Sequence, residues 1–180
     1  LVLKKNGKLR LVLDARKSNL FFRRPPTGDN SSLSALGGIR IPKGKTLYAA
    51  QYDVKDFFYR LSIGWDLAQH FGLPALSWDE AVEVLGVGCL SHLPEGQPVH
   101  PYFCVLPMGF SWAFHLAQEA LRAVVVRALG APVFVEDFKP APDLESDTQV
   151  CMVYADNGTH IGLDKHQVNR EKTLVQDMLD

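Results

Sequence analysis

Tyr52-Asp53-Val54-Lys55-Asp56-Phe57-Phe58-Tyr59 and Val153-Tyr154-Ala155-Asp156-Asn157-Gly158 decide how this chain is read. Each runs apolar and β-prone up to an aspartate and then breaks, the pattern of a strand delivering a carboxylate at its end. Between them, Leu106-Pro107-Met108-Gly109-Phe110 opens a helical pattern that reaches Gln118. Two carboxylates on separate strand ends, with a glycine loop between, are the parts a two-metal phosphoryl-transfer site needs.

Working outward, residues 1–3 and 9–13 alternate about Asn6-Gly7, a hairpin turn signal. Residues 18–46 are rich in Pro, Gly, Ser and Arg and predict a surface loop. Residues 47–54 predict a strand and 65–70 a short helix. Ser77-Trp78-Asp79-Glu80 fits a capping box. Residues 86–101 predict loop, 102–106 a strand, and 111–129 the longest helix, closed by Gly130. Residues 136–147 are acidic, carry Pro140 and Pro142, and predict an exposed insertion. Strands at 150–155 and 159–161 flank Asp156-Asn157-Gly158, read as a hairpin turn. From Asp164 a final helix places Val168, Val175 and Met178 on one face. Strands and helices mix without regular β-α alternation, which predicts an α+β fold with an antiparallel sheet backed by helices.

Composition bounds the function. A chain of 180 residues with 47% hydrophobic and 22% charged content has enough apolar surface for one good core. No apolar run is long enough to span a membrane, and no signal peptide is visible, so an intracellular protein is expected. Three scattered cysteines argue for a reducing compartment over a disulfide framework. The net charge of −1 hides a split: residues 1–60 carry 13 Lys and Arg against 4 Asp and Glu, and the remainder carries 6 against 16. A basic segment beside an acidic one suits phosphate contact on one side and cation binding on the other. The chain starts inside a predicted strand and stops inside a predicted helix, and so reads as a fragment.

The order and wording of these pieces resemble the reverse transcriptase family in its long-terminal-repeat retroelement and retroviral branch. The segment from Lys4-Lys5-Asn6-Gly7 through Arg10 to Asp14-Ala15-Arg16 and Asn19 is similar to the family's entry hairpin. The Asp53 stretch resembles motif A, residues 106–118 motif B, and Tyr154-Ala155-Asp156-Asn157 motif C. Motif C departs from the pattern: the family usually has two aspartates, and this chain has Asp156 then Asn157. Some viral RNA polymerases resemble the Asp-Asn form.

The resemblance implies a polymerase palm at residues 47–65 and 104–180 and a partial fingers subdomain at 1–46 and 66–103, with no thumb or RNase H. It implies an RNA-directed DNA polymerase that joins deoxynucleoside triphosphates to a primer 3′-hydroxyl on an RNA or DNA template. Two Mg²⁺ ions, or Mn²⁺ in their place, would sit ~3.5–4 Å apart. Asp53 would bridge both ions, Asp156 would hold the catalytic one, and the Val54 carbonyl would add an oxygen. Asn157 offers one neutral oxygen and an amide donor, so it weakens metal attraction or serves the Asn-Gly turn alone. Phe58 would close the space for a ribose 2′-hydroxyl, with Asp56 lining the same pocket. Lys5 and Arg10 would grip the triphosphate. Gly109 would let backbone approach the incoming base pair, flanked by Met108 and with Gln118 on the helix. Lys8, Arg23, Arg24 and Tyr154 would contact nucleic acid. Asp14 and Arg16 read as structural partners. Thumb, RNase H and integrase domains are expected elsewhere in the parent polyprotein.

Two rivals remain on the sequence. One is a decayed palm that binds nucleic acid without catalysis, favoured by Asn157. The other is an RNA-dependent RNA polymerase, disfavoured by the aromatic Phe58. Cys89, His92, His100 and Cys104 are residue types that suit tetrahedral zinc, but Cys104 belongs to the predicted strand and the inner spacing is short. They are read as unrelated residues.

Overall fold

In chain order the described residues form β1 (Val2–Leu3), β2 (Leu9–Arg10), α1 (Arg16–Asn19), α2 (Leu33–Gly37), β3 (Tyr48–Asp53), α3 (Phe57–Arg60) and α4 (Trp65–Ala68). There follow α5 (Trp78–Leu85), α6 (Val87–Leu90), α7 (Ala113–Leu129), β4 (Val133–Phe134), β5 (Val150–Tyr154), β6 (Asn157–Gly162) and α8 (Lys165–Leu179). The structure is a computed structural model and describes residues 2–3, 7, 9–26, 31–146 and 149–179. It divides into two compact units, Leu1–Arg23 with Tyr59–Phe110, and Arg24–Phe58 with Ser111–Asp180.

The first unit carries the β1–β2 hairpin, which the sequence predicts about Gly7. Ser77 caps α5 as expected: its hydroxyl accepts from the Glu80 amide and the Glu80 carboxylate accepts from the Ser77 amide. Ala81, Leu90 and Val99 form a small core there, with Leu76, Trp78 and Val82 packed against it. Residues 102–106 do not form the predicted strand. They make isolated bridges, Ser62 with Val105 and Gly72 with Tyr102, because their backbone partners are spread over loops instead of one extended neighbour. The region read as a loop at 18–46 contains the end of α1 and all of α2; Ser32 caps α2 by accepting from the Ala35 amide.

The second unit is a four-stranded sheet in the order β3-β6-β5-β4. β3, β6 and β5 are antiparallel, but β4 runs parallel to β5, so the sheet is mixed where the sequence predicts an antiparallel one. A parallel pair needs a crossover in place of a tight turn, and the chain between β4 and β5 supplies it. Its described residues are largely exposed, as predicted, but a few of them anchor it. Leu144 is buried with Val135, Val150 and Ile161. Glu136 is buried and pairs with Arg122 of α7 and with Lys139, the latter at 2.5 Å. Residues 31–47 belong to this unit, with Ala35, Leu36, Ile39 and Leu47 packed on the same core. The compact units therefore divide the chain at other points than the sequence boundaries did.

α7 begins at Ala113 and buries Ala117, Leu121 and Val125 at four-residue spacing. Gly130 closes it at φ +88°, as a C-cap glycine should. Asp164 starts α8 by accepting from the His166 and Gln167 amides, which holds its carboxyl below the usual range. α8 buries Val168, Glu171 and Val175. Met178, predicted on that face, is exposed. Among the described residues no helix is long and apolar enough to cross a membrane.

Candidate functional site

β3 and β6 pair so that Asp53 lies directly opposite Asn157, and β5 pairs with β6 so that Tyr154 also lies opposite Asn157. Side chains directly opposite in an antiparallel pair have Cβ atoms about 5 Å apart. Asp53, Asn157 and Tyr154 thus form one row across three strands, on the face that Gln51, Thr159 and Met152 continue. Asp156 stands in the turn at the same end of the sheet. The Val54 amide donates to the Asp156 carbonyl at 2.8 Å, tying the end of β3 to that turn. The motif A and motif C residues are brought together at one end.

The turn differs from the sequence reading. Its two central residues are Ala155 and Asp156, and Asn157 and Gly158 belong to β6. Asn157 is therefore not a turn residue chosen for an Asn-Gly pair. Ala155 takes φ +52°, a conformation that costs an L residue about 1–2 kcal/mol. The Asn157 side-chain amide donates to Asp156 Oδ1 at 3.1 Å. Past Asp53 the chain turns sharply at Asp56, φ +53°, a region aspartate tolerates better than most residues. Phe57 is the core aromatic of this run, and Phe58 is half-buried. A cavity of about 680 Å³ lies between this sheet face and the α2 segment, bordered by Gln51, Met152, Tyr154, Asn157, Ser32 and Leu36. Tyr154 is 54% exposed, with its ring edge-on to Phe114 at 5.0 Å. Period-2 alternation back from Asp53 and forward from Asn157 is the sequence signal that would have marked this face.

Other predicted residues fare differently. Gln118 faces inward on α7 and is buried, so it supports the fold and does not present itself to solvent. Lys5 and Lys8 lie outside the described residues, as does the Arg10 side chain; the Arg10 backbone is in β2. Arg23 and Arg24 are exposed. Met108 is half-buried. Gly109 has φ +109°, and a Cβ there would sit 2.5 Å from the Leu13 carbonyl oxygen. The close approach that demands glycine at 109 is thus made by the chain's own backbone. Asn19 reinforces it by donating to the Gly109 carbonyl at 3.0 Å. Asp14 and Arg16 pair at 2.6 Å, and this pairing holds the Asp14 carboxyl down at about 2. Both side chains are exposed. Among the described residues, no group of three or more His, Cys, Asp or Glu could hold a metal ion.

The helix-facing side of the same strands holds a polar cluster that sequence reasoning did not single out. His160 and Cys151 face each other across β6 and β5, with Nδ1 to Sγ at 3.2 Å. Glu171 of α8 places Oε2 at 3.7 Å from the same Nδ1, and Gln167 donates to Glu171 Oε1 at 3.0 Å. Tyr52 stacks on His160 with centroids 5.7 Å apart. Burial pushes the Cys151 thiol up to about 12 and the His160 imidazole down to about 4, and raises Glu171 and Tyr52. Thiol and carboxylate address one imidazole nitrogen, and the thiol is held protonated, so this is not an activated nucleophile.

No protein-family model matches the chain, and none of the curated proteins does. Among solved structures it is similar to a foamy viral protease-reverse transcriptase in complex with double-stranded DNA, at 19% identity and a TM-score of 0.59. The likeness covers 99% of this chain and 24% of that one, so the chain spans about a quarter of that protein's length. At this identity the likeness shows the fold: a reverse-transcriptase-like arrangement of mixed sheet and helices.

Proposed function

We propose that the chain is the polymerising core of an RNA-directed DNA polymerase of a retroelement. The reading is carried by one observation: Asp53 sits opposite Asn157, and Asp156 stands in the adjoining turn at the same end of the sheet. In this reading residues 47–65 and 104–180 are the palm, and residues 1–46 and 66–103 contribute fingers. The reaction is attack of a primer 3′-hydroxyl on the α-phosphorus of a deoxynucleoside triphosphate, breaking its bond to pyrophosphate.

The donor set suits Mg²⁺, which takes oxygen ligands, keeps several waters and is often bound through one or two carboxylates plus substrate phosphates. Asp53, Asp156 and the Val54 carbonyl would hold it. Two such ions, or Mn²⁺ in their place, would activate the hydroxyl and neutralise the leaving group. The chain's own residues orient the parts. Asn157 fixes the Asp156 carboxylate through its amide. Phe58 walls the sugar site beside Asp56, excluding a 2′-hydroxyl. Lys5 and Arg10 grip the triphosphate, and Gly109 with Met108 shapes the loop beside the nascent pair. Gln118 supports from within α7. Lys8, Arg23, Arg24 and Tyr154 contact the template–primer.

A second reading, a nucleic-acid-binding domain without catalysis, is favoured by the neutral Asn157 and by the hydrogen bond that its side-chain amide donates to the Asp156 carboxylate. Primer extension on poly(rA) separates the two, with the chain assayed inside a longer polypeptide that supplies the thumb. Extension in Mg²⁺ or Mn²⁺ supports the polymerase. Inertness at every metal concentration, with activity gained in Asn157→Asp, supports the second reading.

A further inference from the structure

Behind the Asp53–Asn157 pair lies a second cross-strand contact. Tyr52 and Gly158 are directly opposite in the β3–β6 register, one residue before Asp53 and one after Asn157. Tyr52 is buried, and its ring lies over the Gly158 Cα. A Cβ built at 158 would run into the ring and hydroxyl, with Cε1 only 2.7 Å away. Glycine is weak inside a strand, and an aromatic ring across from it compensates by covering the bare backbone. The ring is held from behind by the stack on His160, which meets Cys151 of β5 and faces Glu171 of α8. Contacts therefore run without a break from α8 through β5 and β6 to the residue next to Asp53.

We infer that Tyr52 and Gly158 are positioning residues, a ring and its notch, which set how the end of β3 meets the Asp156 turn. The functional weight of this inference rests on the proposed polymerase reading; the positioning does not. One hydrogen bond reports the junction directly, the Val54 amide to the Asp156 carbonyl at 2.8 Å. Its exchange with solvent measures whether the two carboxylate-bearing segments stay joined, with no metal or substrate present.

The test is amide hydrogen exchange by NMR on the 180-residue chain itself. Gly158→Ala pushes the ring out of its notch, so the Val54 amide should exchange about 10-fold or more faster while amides at the far end of β3 near Tyr48 keep their protection. Tyr52→Leu/Gly158→Ala removes the obstacle and should restore Val54 protection. Tyr52→Phe/Gly158→Ala should not, since the ring carbons still collide. Tyr52→Phe alone should leave exchange unchanged, because the Tyr52 hydroxyl is buried without a partner. If Gly158→Ala fails to fold, Tyr52→Leu alone decides: the empty notch should loosen Val54 selectively. Uniform loss of protection along β3, or no rescue by Tyr52→Leu, would overturn the inference and leave a packing role only. A parallel Mn²⁺ titration keeps the polymerase reading separate: absent binding with the exchange pattern as stated would remove the metal site and retain the positioning pair.

Discussion

Acid should weaken this protein through His160. The residue has no exposed surface, its Nε2 has no partner, and the groups facing it are Cys151, Glu171 and the Tyr52 ring. Burial lowers the imidazole from 6.5 to about 4. The unfolded chain takes up a proton near pH 6.5, and the folded chain resists until about 4. In that window the unfolded state binds more protons, so stability rises with pH and falls on acidification. The gap corresponds to about 3 kcal/mol at full effect. Glu171 acts in the opposite sense. Its raised carboxyl contributes stability below the usual glutamate range, and that stability is lost as pH rises through the folded value. Cys151, near 12, stays protonated throughout the window. His160→Leu removes the histidine's share and keeps Glu171. Urea unfolding followed by tryptophan fluorescence at pH 7 and pH 4 gives the comparison. The wild type should lose about 3 kcal/mol more than the variant between the two. Equal losses would refute the reasoning. So would a wild type that gains stability on acidification, because that would mean a charged His160 is held by Glu171 as an ion pair.

Other outcomes follow from the site and the crossover. Asp53→Asn should abolish primer extension, whereas Asn157→Asp should lower the Mg²⁺ concentration for half-maximal rate, read by metal titration. Phe58→Ala should admit ribonucleotides in single-nucleotide incorporation; unchanged sugar discrimination would return Phe58 to packing alone. Neutralising Arg23 and Arg24 together should weaken binding to all sequences alike and flatten the salt dependence, measured by fluorescence anisotropy at several ionic strengths. Leu144→Ala should cost ~2–4 kcal/mol in urea unfolding, because the leucine anchors the crossover in the core of Val135, Val150 and Ile161.

Local chemistry was legible where neighbours along the chain decide the outcome. The Ser77–Glu80 box, the Gly130 stop, the start of α8 at Asp164 and the strand ending on Asp53 depend on residues within a turn or two, and the sequence states them. Where partners come from far along the chain, the sequence misled. Asn157-Gly158 reads as a turn by its dipeptide preference, yet both residues are strand, paired with Asp53 and Tyr52 more than 100 residues earlier. The acidic, proline-bearing segment reads as exposed and largely is, yet Leu144 and Glu136 find burial and cations that no local pattern reveals.

By itself, then, the amino-acid order determined which residues end strands, cap helices and carry charge. Those are outcomes of backbone sterics and short-range hydrogen bonds. Only the tertiary structure decided which strand lies beside which, that β4 runs parallel to β5, and that Asp53 meets Asn157 across a register seated by Tyr52 in the notch at Gly158. A one-residue slip would send every side chain of a strand to the opposite face, and what prevents it is packing between residues distant in sequence.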